Sequence, residues 1–215
     1  MKYFKLWVYL IVIYTSFPVA AGTYDDFFKA LKEDNAQVVA RVLARGFDPN
    51  TLNPEGLHPL VLAIRRPSLA VLGLLLQNKS IQVEYRNAAG ESPLMLAAMA
   101  GMVDVCKRLI ALDADVNKTG WTPLHYASAA GHVAVIKLLL ENSAYIDAES
   151  PNKSTPLMMA AMYGDSEVVR LLLDEGADAT LKNEKDMTAL DFAQAAGKGA
   201  SARLIARHLE ISSKP

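Results

Sequence analysis

One cysteine, Cys106, is the only thiol in this chain of 215 residues, so no internal disulfide can hold it together. Whatever folds must be held by its core. A single thiol also supplies no cysteine-based metal spacing, and an unpaired cysteine in an apolar stripe reads as a buried core residue. Basic blocks are missing too. The 22 Lys and Arg are balanced by 23 Asp and Glu, for a net charge of −1, which excludes the electrostatic footprint of a nucleic-acid binder. Catalytic signatures are equally scarce. The chain has no G-x-S-x-G, H-E-x-x-H or Walker loop. Gly197-Lys198-Gly199 is an incomplete glycine motif that follows a helical pattern rather than a strand. The acidic pairs Asp25-Asp26 and Glu33-Asp34 lie on a polar N-terminal segment, where solvation explains them better than acid/base work. What the chain has in quantity is apolar residues, 52% against 21% charged, ample for a packed core.

The first 21 residues stand apart. Lys2 and Lys5 precede a nearly uncharged run, LWVYLIVIYTSF at 6–17, and PVAAG follows with Val19 and Ala21 at the −3 and −1 positions of a cut before Gly22. That order is expected of a cleaved secretory signal peptide, since a spanning helix needs about 20 apolar residues. No cysteine follows the cut, which argues against a lipid anchor. The expectation is therefore an exported chain, periplasmic first and secreted second, with no stable membrane anchor after cleavage.

The stretch GWTPLHYASAAGHVAVIKLLL at 120–140 raises the question of chemistry, because His125 and His132 stand seven residues apart beside Thr122 and Ser128. Its pattern recurs as LHPLVLAIRRPSLAVLGLLL at 57–76, ESPLMLAAMAGMVDVCKRLI at 91–110, STPLMMAAMYGDSEVVRLLL at 154–173 and MTALDFAQAAGKGASARLIA at 187–206. YDDFFKALKEDNAQVVARVL at 24–43 is the most divergent copy. Aligning His58, Ser92, Thr122, Thr155 and Thr188 gives spacings of 34, 30, 33 and 33. Thr122 as cap and Pro123 in the first turn open a first helix, and Gly131 has the freedom to end it. Val135, Ile136, Leu139 and Leu140 form the apolar stripe of a second helix. One such hairpin cannot bury both of its faces, so stability must come from stacking. Asp113 and Ser143 stand where Gly46 and Gly176 close other second helices, and should cost a little local stability.

A period near 33 with T-P-L-H and two helices per unit resembles the ankyrin repeat, over essentially all of 24–210. The resemblance implies an all-α solenoid of about six helix-turn-helix units with short hairpin fingers. The expected organisation is a signal peptide at 1–21 and one ankyrin-repeat domain at 22–215. Its units lie near 24–55, 56–89, 90–119, 120–152, 153–185 and 186–210. In that family the T-P-L-H histidine is a structural hydrogen-bonding residue, and the resemblance carries this role to His125. The aligned positions agree. Val61, Met95, Met158 and Asp191 replace His125, and Ser68, Met102, Asp165 and Lys198 replace His132, so no ligand set recurs. Neither a catalytic residue nor a metal or cofactor is expected.

By resemblance, a partner protein binds a concave face made of fingers and first helices. The contact positions around the motif and before the glycine turn are Leu57, Arg65, Arg66, Met99, Trp121, Met162, Tyr163 and Met187. Methionine adapts to partners, and aromatics with arginine anchor them. Trp121, behind the turn residue Gly120, is the leading anchor. The third linker, with only Lys118 and Thr119 between Asn117 and Gly120, should leave a notch beside it. Pro67 replaces a turn glycine and should end a helix at Arg66. The expected function is a non-enzymatic protein–protein interaction scaffold. The chain also resembles short exported ankyrin proteins of proteobacteria, some associated with oxidative-stress protection. Alternatives are a toxin-neutralising immunity protein, which an acidic partner-facing patch would favour, and a small-molecule or haem carrier using the Met/Trp/Tyr face.

Overall fold

The computed structural model describes residues 22–212, in which every regular element is a helix. The expected signal peptide at 1–21 lies outside the described residues. These residues form two compact units, one ending at Gln82 and the other beginning at Val83.

The first unit holds α1 (22–32), α2 (Ala36–Ala44), α3 (Pro59–Arg65) and α4 (Leu69–Leu75). Its core mixes aliphatic residues with a ring cluster. Phe27 lies 4.7 Å from Phe47 and 5.2 Å from Phe28, edge to face with the latter. The rings fill space that aliphatic side chains fill elsewhere. α3 ends at Arg65, and Arg66 is extended because Pro67 disfavours helix in the residue before it. Ser68 donates its hydroxyl to the Leu31 and Arg66 carbonyls, so α4 is capped instead by Asp34, which accepts from the Val71 amide at 3.0 Å. At the start of α3, His58 takes the capping place: Nδ1 accepts from the Leu60 amide and Nε2 meets Asn50 Oδ1, both at 3.2 Å. Burial pushes this imidazole down to about 4.

The second unit repeats one hairpin four times. Its helices are α5 (Pro93–Met99) with α6 (Val103–Ile110), α7 (Pro123–Ala130) with α8 (Val133–Glu141), α9 (Pro156–Met162) with α10 (Ser166–Asp174), and α11 (Ala189–Ala195) with α12 (Gly199–Ser212). First helices pack on first helices and second on second, which is the stacking that the repeat demands. Gly164 shows how closely: a Cβ there would lie 2.7 Å from the Ser128 carbonyl oxygen of α7. Gly101 is equally constrained, at φ +69° with a Cβ position 2.7 Å from the His132 ring. Ser92, Thr122, Thr155 and Thr188 cap the first helices, and at each start the third helical residue returns a side chain to the cap. Met95 and Met158 do so with a thioether at 3.4 Å, Asp191 with a carboxylate at 2.7 Å. Asp113 and Ser143 both sit at φ 63°, the strained conformation expected of a missing glycine. Among the described residues no helix is long and apolar enough to cross a membrane.

The connections before α5, α9 and α11 close with the same two backbone bonds, as in Asn87 N–H to Glu91 O at 3.1 Å and Gly90 N–H to Asn87 O at 2.8 Å. The connection before α7 has neither bond. It is held instead by side chains. Lys118 Nζ donates to Gly90 O at 2.7 Å, and Asn117 Nδ2 donates to Ser143 O at 2.7 Å.

Candidate partner-binding surface

The start of α7 fixes the geometry of everything around it. Thr122 caps the helix, which places His125 one turn on and Trp121 just outside. His125 is buried and both of its nitrogens are engaged. Nδ1 accepts from the Thr122 amide at 3.2 Å and meets the Thr122 hydroxyl at 2.9 Å, while Nε2 lies 2.9 Å from the Ser154 carbonyl in the next connection. The neutral ring with its proton on Nε2 satisfies all of these at once. Burial pushes its pKa down to about 4, against which the Ser154 and Ala148 carbonyls pull upward. A ring so held shapes the backbone and has no lone pair to offer a metal or a substrate. Among the described residues, no three His, Cys, Asp or Glu side chains are grouped to hold a metal ion.

Trp121 stands edge-on to that imidazole, with ring centroids 5.2 Å apart at 78°. On the same helical face follow Tyr126, Ala129 and Ala130. The Tyr126 hydroxyl donates to Glu91 Oε1 at 3.1 Å; burial first, and the Glu91 carboxylate second, push its pKa up to about 12. The two alanines leave room. With Met99 from α5 and Met159 and Tyr163 from α9 and its C-terminus, these residues line an open apolar depression of about 370 Å³. Met99 is 47% exposed and Tyr163 60%, high values for side chains of this size in a folded chain.

Of the residues that the sequence singles out, the structure brings Met99, Trp121 and Tyr163 together here. Met162 is half-buried on α9 and does not line the depression, and half-buried Met187 lies in the connection before α11. Leu57, half-buried, and Arg65 and Arg66, exposed, belong to the first compact unit. Tyr126 and Met159 line the depression without having been anticipated. Their signal was present: both stand four residues after the capping threonine, where Leu62 and Leu96 stand in other repeats. Cys106 is buried in α6, where burial pushes its thiol up to about 12 and keeps it unreactive.

Comparison with known proteins agrees with this geometry. One family model, ankyrin repeats in three copies, matches residues 27–119 and 74–150, and a second, ankyrin repeats in many copies, matches 139–193. Among curated proteins, the neurogenic locus notch homolog protein 1 of Xenopus laevis is 31% identical over 129 residues, 59% of this chain and 5% of that protein. The neurogenic locus notch homolog protein 2 of Homo sapiens is 32% identical over 123 residues, 56% of this chain and 5% of its own length. The chain thus spans about a twentieth of the relatives it matches. With its capped hairpins, its period and these matches, the chain belongs to the ankyrin-repeat family.

Proposed function

We propose that this chain is a non-enzymatic, exported protein–protein interaction scaffold, working in a periplasm, with 1–21 removed as a leader and 22–215 acting as its ankyrin-repeat domain. Ankyrin repeats mediate protein binding, and the proposal adds where on this chain that happens. The observation that carries it is the apolar depression around Trp121, because a half-buried tryptophan beside an exposed tyrosine and methionine, clustered over small alanines, makes an anchor site. A link to oxidative-stress protection belongs to the same proposal and stands on resemblance alone. Affinity capture from the exported fraction tests the reading, with Trp121→Ala as control bait. A partner retained by the native chain and lost by the variant supports it; a partner equally retained by both removes the depression from the interface. The volume of about 370 Å³ also suits a small apolar molecule, which is the second reading. Recovery of a co-purifying small molecule, displaced by Trp121→Ala, would favour it.

A further inference from the structure

Residues 83–212 distribute their charge unevenly. The connections at 83–92, 111–122, 142–155 and 175–188 hold ten carboxylates and five cations, whereas the remainder of 83–212 holds seven of each. The whole net charge of −5 therefore sits in the connections that lead into the first helices. Two of their five cations are engaged: Arg86 pairs with Glu84 and lies 3.8 Å from Asp115, and Lys118 donates to Gly90 O. Exposed carboxylates include Asp115, Glu149, Asp178 and Glu184. Trp121, at the edge of the depression, is itself part of one of these connections.

The interior of the depression has the opposite character. Its Tyr126 hydroxyl already donates to Glu91, and both nitrogens of His125 are bonded. A charge brought inside would lose its water without an equivalent return. An apolar side chain would lose nothing and would meet polarizable thioethers and rings.

We infer that the depression takes a basic segment of a partner protein: one aliphatic or aromatic side chain seated among Met99, Trp121, Met159 and Tyr163, with lysines or arginines on either side facing the acidic connections. This rests on the reading of the depression as a partner site and adds the chemistry of the occupant. Apolar contact holds the anchor, and the surrounding field steers and selects the flanks.

Three labelled peptides of equal length test it against the full chain by fluorescence anisotropy: phenylalanine flanked by lysines, phenylalanine flanked by glutamates, and alanine flanked by lysines. The lysine–phenylalanine peptide is expected to bind at least about tenfold more tightly than the glutamate one at low salt. That gap should close at about 1 M salt, where the screening length falls to about 3 Å. Trp121→Ala should abolish its advantage over the alanine peptide. Glu149→Lys combined with Glu184→Lys should narrow the gap between lysine and glutamate flanks while thermal unfolding stays unchanged. Equal binding of the alanine peptide would overturn the anchor. Tighter or equal binding of the glutamate peptide, still dependent on Trp121, would overturn the basic occupant and leave the partner site standing. If no phenylalanine peptide binds in a Trp121-dependent way, inference and site fall together.

Discussion

Each compact unit buries one histidine at the start of a first helix, and the two do different work. In the first unit His58 replaces the capping hydroxyl, accepting from the Leu60 amide itself. In the second, His125 stands behind the capping hydroxyl of Thr122 and ties it to the next connection through Ser154. The contrast extends outward. Residues 22–82 pack an aromatic cluster and carry seven cations against six carboxylates, nearly neutral. Residues 83–212 stack small alanines closely, carry a net −5 and display the apolar depression. One repeat plan thus tolerates two solutions, provided that each cap and each helix face is satisfied locally. Close stacking over alanines leaves large side chains exposed at the rim. The aromatic solution buries Phe27 and Phe28 instead.

The largest way to break the comparison is in the aromatic cluster. Phe27 is fully buried against Phe28 and Phe47, so Phe27→Ala should cost about 3–5 kcal/mol, measured by denaturant unfolding. A loss under about 1 kcal/mol would mean that the rings are not the core of the first unit.

Acid comes next, and it touches both units. His58 and His125 each have a folded pKa of about 4 against an ordinary 6.5, so the unfolded chain binds the extra proton between those values. Stability from each is therefore fully present above about pH 6.5 and is lost as pH falls toward 4, by up to about 3 kcal/mol per histidine. His58→Asn and His125→Met retain a capping or a returning acceptor without a titrating ring. Each should flatten its share of the decline in melting temperature between pH 7 and 4.5. An unchanged acid profile in both variants would show that neither ring is held neutral by burial.

The smallest effect sharpens the account of the second unit. Ser143→Gly relieves a residue held at φ 63° and should stabilise by about 1 kcal/mol, a rise of a few degrees in melting temperature. A destabilised variant would show that Ser143 contributes more than its backbone strain costs.

Much of this was legible in the sequence because it is local. Capping threonines, the helix end before Pro67 and the strained Asp113 and Ser143 depend on neighbours within a turn, and their residue types announce them. The depression was legible only in part. Trp121, Met99 and Tyr163 stand at variable positions, but Tyr126 and Met159 occupy a place that leucine fills in other repeats, so pattern alone files them with the core. Beside them Ala129 and Ala130 line the same depression, an arrangement across two helices that no single residue encodes. Bonds between repeats were hidden for the same reason. His132 Nε2 lies 3.0 Å from Met99 O, and Lys198 donates to Gly164 O at 2.7 Å, although the two share neither charge nor shape.

The central claim is that recognition rests on Trp121 and shape on its neighbour His125. The most direct measurement is the affinity of the captured partner for Trp121→Ala and for His125→Met, alongside the thermal unfolding of both. Trp121→Ala is expected to melt as the native chain does and to lose at least about 2 kcal/mol of binding, some thirtyfold. His125→Met is expected to melt lower, by about 1–3 kcal/mol of stability, and to bind as well as the native chain once folded. Native-like binding by Trp121→Ala, or lost binding by a stably folded His125→Met, would contradict the division between the two residues.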